Sequence, residues 1–167
     1  MNLPNQIDFY QSELDPDGRR SWKNFGGLTV DQAYEKFCER PDIYQEDFMF
    51  MSGPAFTFYF PVIDRYIREK ESLIAFSGET RILCEGFRIR TQERFVKPAR
   101  FTSEINKQVI ALCTFILDQL NAPGVLKKSE DMRKEFGGES WFEYTSLAAI
   151  KDVCTIILAE VGAGINY

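Results

Sequence analysis

The sequence predicts an all-α fold, or an α fold with a minor two-stranded element near residues 80–96 as the alternative. Three observations carry this. Two long stretches repeat apolar residues at the helical period, Ile105-Val109-Leu112-Ile116-Leu120 and Leu147-Ile150-Cys154-Ile157-Val161. Thr29 and Gln32 stand at capping-box spacing ahead of an apolar stripe. The aromatic run after Pro54 keeps spacings of four, three and four through Phe56, Phe60, Ile63 and Ile67, which is one helical face.

Taken in order, residues 1–27 read as a polar arm. Asp15-Pro16-Asp17-Gly18 and Gly26-Gly27 are turn formers, and one short helical turn is expected, pinned to the body by Trp22 and Phe25. Residues 28–167 form the single helical domain. Its first helix starts after Thr29, places Asp31 in its first turn, and carries Ala33, Tyr34 and Phe37 inward. Pro41 stops it near Glu39, because the residue before proline is pushed out of the helical region.

The run Phe48 to Phe60 supports two readings. Aromatic residues favour strands, so a hairpin about Ser52-Gly53-Pro54 is one. The other is a short helix at Glu46 to Met51, then a second opened by Pro54 at its first position, where a missing N–H costs nothing. The period favours the helices, with Pro61 kinking or restarting the second. Residues 71–100 are the least regular, although Phe87-Arg88-Ile89-Arg90 alternates briefly like a strand. A helix from Thr102 to Asn121 follows, widened by Phe115 and Leu117. A short helix after Ser129 ends at Gly137-Gly138, and the last starts after Ser140 or Thr145 and ends at Gly162 and Gly164.

A chain of 167 residues with 44% hydrophobic residues buries roughly 70% of its unfolded surface, which is enough for an independent core without a staple. Twenty-five acidic residues against 20 basic give a net charge of −5, which disfavours broad binding to nucleic acid or anionic membrane. Cys38, Cys84, Cys113 and Cys154 lie far apart in sequence. Three sit in apolar stretches, where free cysteine behaves as a small hydrophobe. A reducing, cytoplasmic location is expected, with no disulfide. Met1-Asn2-Leu3-Pro4-Asn5 lacks the basic flank and apolar core of a secretion signal. The apolar stretch Val109 to Leu117 is too short to span a bilayer.

The residues Leu28-Thr29, Ala33 and Phe37, then Phe48, then Pro54-Ala55-Phe56 with Tyr59-Phe60-Pro61, and later Phe101-Thr102 with Glu104 leading to Phe115 and Leu117, resemble a pattern in a family of small uncharacterised bacterial proteins. There a capped helix precedes a Pro-x-Ala, Tyr-Tyr-Leu-Pro tract. Phe60 stands here where that family has leucine, and the resemblance covers about residues 25–120. It implies a mostly helical cytoplasmic domain with an accessory or toxin-immunity-like role. The matching residues are packing residues and bring no catalytic role with them.

The chain has no histidine, so the commonest general base and metal ligand is missing. Ser103-Glu104-Ile105-Asn106-Lys107 misses the Ser-x-x-Lys spacing by one position. No glycine-rich phosphate loop occurs. No catalytic residue, cofactor or metal site is therefore expected. Two carboxylate clusters, Asp42-Glu46-Asp47 and Glu130-Asp131-Glu135, are the material for a metal-dependent hydrolase. Their plainer reading is helix N-termini complementing the dipole.

One basic stretch stands out. Residues 81–100 hold Arg81, Arg88, Arg90, Arg94, Lys97 and Arg100 against Glu85 and Glu93, with Phe87 and Phe95 interleaved. In an extended segment Arg88, Arg90 and Arg94 share a side while Phe87 and Ile89 face the core. That row is the candidate anion or partner site, because guanidinium groups make paired contacts to carboxylate or phosphate. The expected function is a non-enzymatic protein-interaction role through charge-complementary surfaces, with a protein as partner. RNA or nucleotide binding by the same arginines, and metal-dependent hydrolysis, are the alternatives.

Overall fold

The computed structural model of the chain describes residues 2–10, 12, 15–69, 80–86, 103–125, 127, 131, 134 and 147–163. Among these residues every regular element is a helix. In chain order they are α1 (Gln6–Phe9), α2 (Pro16–Phe25), α3 (Val30–Glu39), α4 (Pro41–Tyr44), α5 (Asp47–Phe50), α6 (Gly53–Arg68), α7 (Ser103–Leu120) and α8 (Leu147–Ala163). A further helical stretch lies at 80–86.

That stretch corrects the strand expectation where it can be compared. Thr80, Leu83 and Cys84 are buried together, a spacing of three and four that only a helix brings to one face. The remainder of the expected strand pair, 87–96, lies outside the described residues. So does the short helix after Ser129, except for Asp131 and Lys134, which are helical.

The capping chemistry explains the helix starts. In α3 the Thr29 hydroxyl accepts the Gln32 N–H at 3.3 Å and the Gln32 side chain accepts the Thr29 N–H at 2.9 Å, completing the reciprocal box. Asn5 and Asp8 build the same box on α1. Asp15 caps α2 by accepting the Gly18 N–H at 2.9 Å, with Pro16 at the first turn.

The aromatic run is helical. Gly53 opens α6 with Pro54 at the second position rather than the expected first, and the helix continues through Pro61. The proline is tolerated because it is exposed, so the Thr57 carbonyl that loses its helical N–H lies on the watered side. Gly162 is the last residue but one of α8, and Gly164 is outside the described residues.

The N-terminal 27 residues hold more structure than one helical turn. Their polar composition hid two capped helices that deliver Phe9 and Phe25, each with no exposed surface, to the core. The core is a chain of aromatic edges. Phe9 meets Trp22 at 5.2 Å, Phe25 meets Phe48 at 5.2 Å, and Phe37 meets both Phe48 at 5.4 Å and Tyr66 at 4.7 Å. The stripes of α6 (Phe56, Phe60, Ile63, Ile67), α7 (Ile105, Val109, Leu112, Ile116, Leu120) and α8 (Leu147, Ile150, Cys154, Ile157, Val161) belong to the same buried cluster. Packing is pairwise: α1 on α2 and α6, α2 on α5, α3 on α6, and α7 on α8. On the surface of the α3–α6 pair, Arg65 lies 3.9 Å above the Tyr34 ring while the Tyr34 hydroxyl donates to Glu69. No helix among the described residues is long and apolar enough to cross a membrane.

Tyr59 locks the α2–α3 connection. Its hydroxyl lies 2.6 Å from the Phe25 carbonyl oxygen and 2.8 Å from that of Leu28. Burial pushes its pKa up to about 12, against an ordinary value near 10. The neutral phenol is thus favoured in the fold. Between about pH 10 and 12 the unfolded chain gives up this proton first, and stability falls as pH rises. Urea midpoints measured from about pH 9 to 11 should decline, and Tyr59→Phe should remove part of that decline.

Candidate binding groove

α2 reads Pro-Asp-Gly-Arg-Arg-Ser-Trp-Lys-Asn-Phe, and its two faces do different work. Gly18, Ser21 and Phe25, at spacings of three and four, turn inward. Pro16, Arg19, Arg20 and Lys23 fall on the other side and remain exposed. Against that side stands α1, with Gln6 and Tyr10. Between them is a groove of about 540 Å³ lined by Gln6, Tyr10, Pro16, Arg19, Arg20, Trp22 and Lys23. That volume is in the range of small-ligand and peptide sites.

Two glycines shape it by close approach. A Cβ on Gly18 would fall 2.7 Å from the Tyr10 Cβ, so only glycine lets the end of α1 come this near to α2. A Cβ on Gly26 would fall 2.2 Å from the Trp22 ring, so glycine lets the indole lie over the backbone. Trp22 is further set by its edge contact with Phe9, and Tyr10 by a hydrogen bond from Gln6. The wall is therefore fixed and aromatic, while the cations ring it.

Beneath the groove, Asp47 fastens α2 to α5. Its side chain is 1% exposed and accepts from Arg20 Nε at 2.9 Å and from Asn24 Nδ2 at 2.7 Å. The Ser21 hydroxyl reaches the Asp47 carbonyl at 2.8 Å. Burial pushes the Asp47 carboxyl above its ordinary range, and the hydrogen bonds from Asn24 and Arg20 pull it back. Arg20 in turn stays more firmly charged through its bond to Asp47. Its outer edge lies 3.7 Å from Glu46 and 5.9 Å from the Phe50 ring centre.

This geometry also resolves the first carboxylate cluster. Asp42 pairs with Arg40 at 3.2 Å, Glu46 with Arg20, and Asp47 with Arg20 and Asn24. Glu46 and Asp47 share Arg20, and Asp42 is held separately by Arg40. Arginine and asparagine donors take up the Asp42 and Asp47 oxygens. Of the second cluster, Asp131 is exposed, and Glu130 and Glu135 lie outside the described residues. Among the described residues no group of three His, Cys, Asp or Glu side chains has metal-holding geometry.

Arg88, Arg90 and Arg94 lie outside the described residues. Of the basic stretch, Arg81 is described. It sits on the 80–86 helix, largely buried, 3.4 Å from Glu85 one turn on. The groove on α2 was not singled out from the sequence. Its signal was present in Pro16, Arg19, Arg20 and Lys23 at helical spacing behind an Asp-Pro start.

Cys38 is exposed, whereas Cys84, Cys113 and Cys154 are buried. The Cys84 and Cys154 sulfurs lie 3.8 Å apart although 70 residues separate them. No family model, curated protein or solved structure matches the chain.

Proposed function

We propose that the chain is a non-enzymatic interaction protein whose α1–α2 groove receives an acidic segment of a partner protein. The observation that supports this is the groove itself, in which a fixed wall of Tyr10, Pro16 and Trp22 is ringed by Arg19, Arg20 and Lys23. The outward face of α2 carries Arg19 and Lys23, with Arg20 held at its inner edge by Asp47 and Glu46, and this cationic face in a chain of net charge −5 favours carboxylates by charge complementarity. The aromatic wall adds apolar contact for a side chain between those carboxylates. An accessory or immunity-like role is the form of this reading that the family resemblance implies.

RNA or nucleotide binding through residues 81–100 remains a distinct outcome, and one experiment separates the two. Short peptides displayed as a random library are selected on the full chain and on Arg19→Glu/Lys23→Glu. The full chain should enrich acidic peptides carrying an aromatic or aliphatic residue, and the charge-reversed variant should bind them about tenfold or more weakly. Enrichment with no acidic bias, or equal binding by both proteins, overturns the reading. So does tight binding of single-stranded RNA, weakening steeply with salt, that the α2 reversal leaves unchanged.

A further inference from the structure

We infer that Cys84 and Cys154 are a redox modification site that closes as an internal disulfide through exchange with a low-molecular-weight disulfide. The helix faces assemble it. Cys113 of α7 and Cys154 of α8 lie on the buried stripes of two helices packed together, and Cys84 comes from the 80–86 helix. All three thiols are fully buried in the same apolar cluster. Cys84 Sγ and Cys154 Sγ are 3.8 Å apart, in hydrogen-bonding contact. A disulfide spans about 2.05 Å, so closure needs the sulfurs to approach by roughly 1.8 Å, within reach of side-chain rotation and a slight helix shift.

The three thiols are not equivalent. Hydrogen bonds to Cys113 and Cys84 pull the Cys154 thiol down against the opposing effect of burial. Hydrogen bonding to Cys154 and burial push Cys84 and Cys113 upward and keep them protonated. The exchange proceeds in two steps once the site opens. Cys154 thiolate attacks one sulfur of the small disulfide, whose S–S bond breaks and releases a thiolate that takes up the Cys154 proton. Cys84, deprotonated, attacks the Cys154 sulfur of the mixed disulfide and releases the second small thiolate, which takes up the Cys84 proton. Two protein thiols are oxidised and one small disulfide is reduced to two thiols. Since both sulfurs are buried, the exchange waits on opening of the 80–86 helix from α8. Its rate should level off as the small disulfide is raised, whereas exposed Cys38 reacts in proportion to concentration.

The test uses the full chain carrying Cys38→Ser, which removes intermolecular pairing, incubated with glutathione disulfide without denaturant. Expected are a fall from three free thiols to one, a Cys84–Cys154 cross-linked peptide by mass spectrometry under non-reducing conditions, and a Tm raised by about 5 °C or more that reductant reverses. Cys154→Ser in the same background should abolish the cross-link, and Cys113→Ser should leave it. Retention of all three thiols, stable glutathione adducts without an internal bond, or a bond from Cys113 in place of Cys84 each overturns the assignment.

Discussion

Truncating Phe25 to alanine is expected to destabilise the protein by about 3–5 kcal/mol, read as a fall in the urea midpoint. Phe25 has no exposed surface. Its ring lies 5.2 Å from Phe48, 5.6 Å from Tyr44 and 6.1 Å from Tyr59, side chains from three other helices. Those neighbours are held by their own helices and cannot collapse into the void, so the loss combines transfer of the ring with a residual cavity. Its carbonyl also accepts from the Tyr59 hydroxyl, so a shifted α2 end would weaken that bond as well. Against a total stability of about 5–15 kcal/mol, the effect is a large share. Phe60→Ala should be comparable, because Phe60 is 1% exposed and its edge contact with Phe56 is 5.8 Å. Phe50→Ala, at 36% exposure, is the internal control and should cost less than about 1 kcal/mol. An unchanged midpoint for Phe25→Ala would show that the N-terminal helices do not share the core.

The second large effect is electrostatic. Replacing Arg20 with alanine leaves the Asp47 carboxylate buried with Asn24 as its remaining side-chain donor. Removing one partner of a buried pair costs more than the pair contributes, since the other charge keeps its desolvation penalty. A loss of about 2–3 kcal/mol at pH 7 follows. The sign of its pH dependence is fixed. Asp47 already has a raised folded-state pKa, and losing Arg20 raises it further. A carboxyl of this kind stabilises the fold when protonated, and that contribution is lost as pH rises through the folded pKa. The deficit of Arg20→Ala relative to the parent chain should therefore shrink between pH 7 and about pH 4, the ordinary carboxyl range. An equal deficit at both values would mean that the arginine acts through packing alone.

Local chemistry was legible and partner choice was not. The Thr29–Gln32 box, the stop at Pro41, the helix start beside Pro54 and the stripes of α7 and α8 each depend on residues within one or two turns, and each stands in the structure within one residue of where spacing put it. Residues 1–27 misled because most of their side chains are polar, and the two fully buried phenylalanines, Phe9 and Phe25, are sixteen positions apart. What makes them structural is long-range: Ser21 and Arg20 reaching Asp47, and Tyr59 reaching Phe25. No periodicity encodes such pairings. The groove was hidden for the same reason, since its far wall belongs to α1. The thiol cluster was hidden because Cys84, Cys113 and Cys154 share no spacing, only a common side of packed helices.

Ser52 ties the end of α1 to the start of α6. Its N–H donates to the Phe9 carbonyl at 2.9 Å, and its hydroxyl donates to that of Asp8 instead of capping its own helix. A four-residue helix such as α1 has no stability of its own in water, because nucleation costs more than one turn returns. The α1 wall of the groove thus comes into being only once α6 is built and Ser52 is in place. A chain with a loose core therefore lacks the groove, and the site we propose for a partner exists only after the N-terminal half has folded.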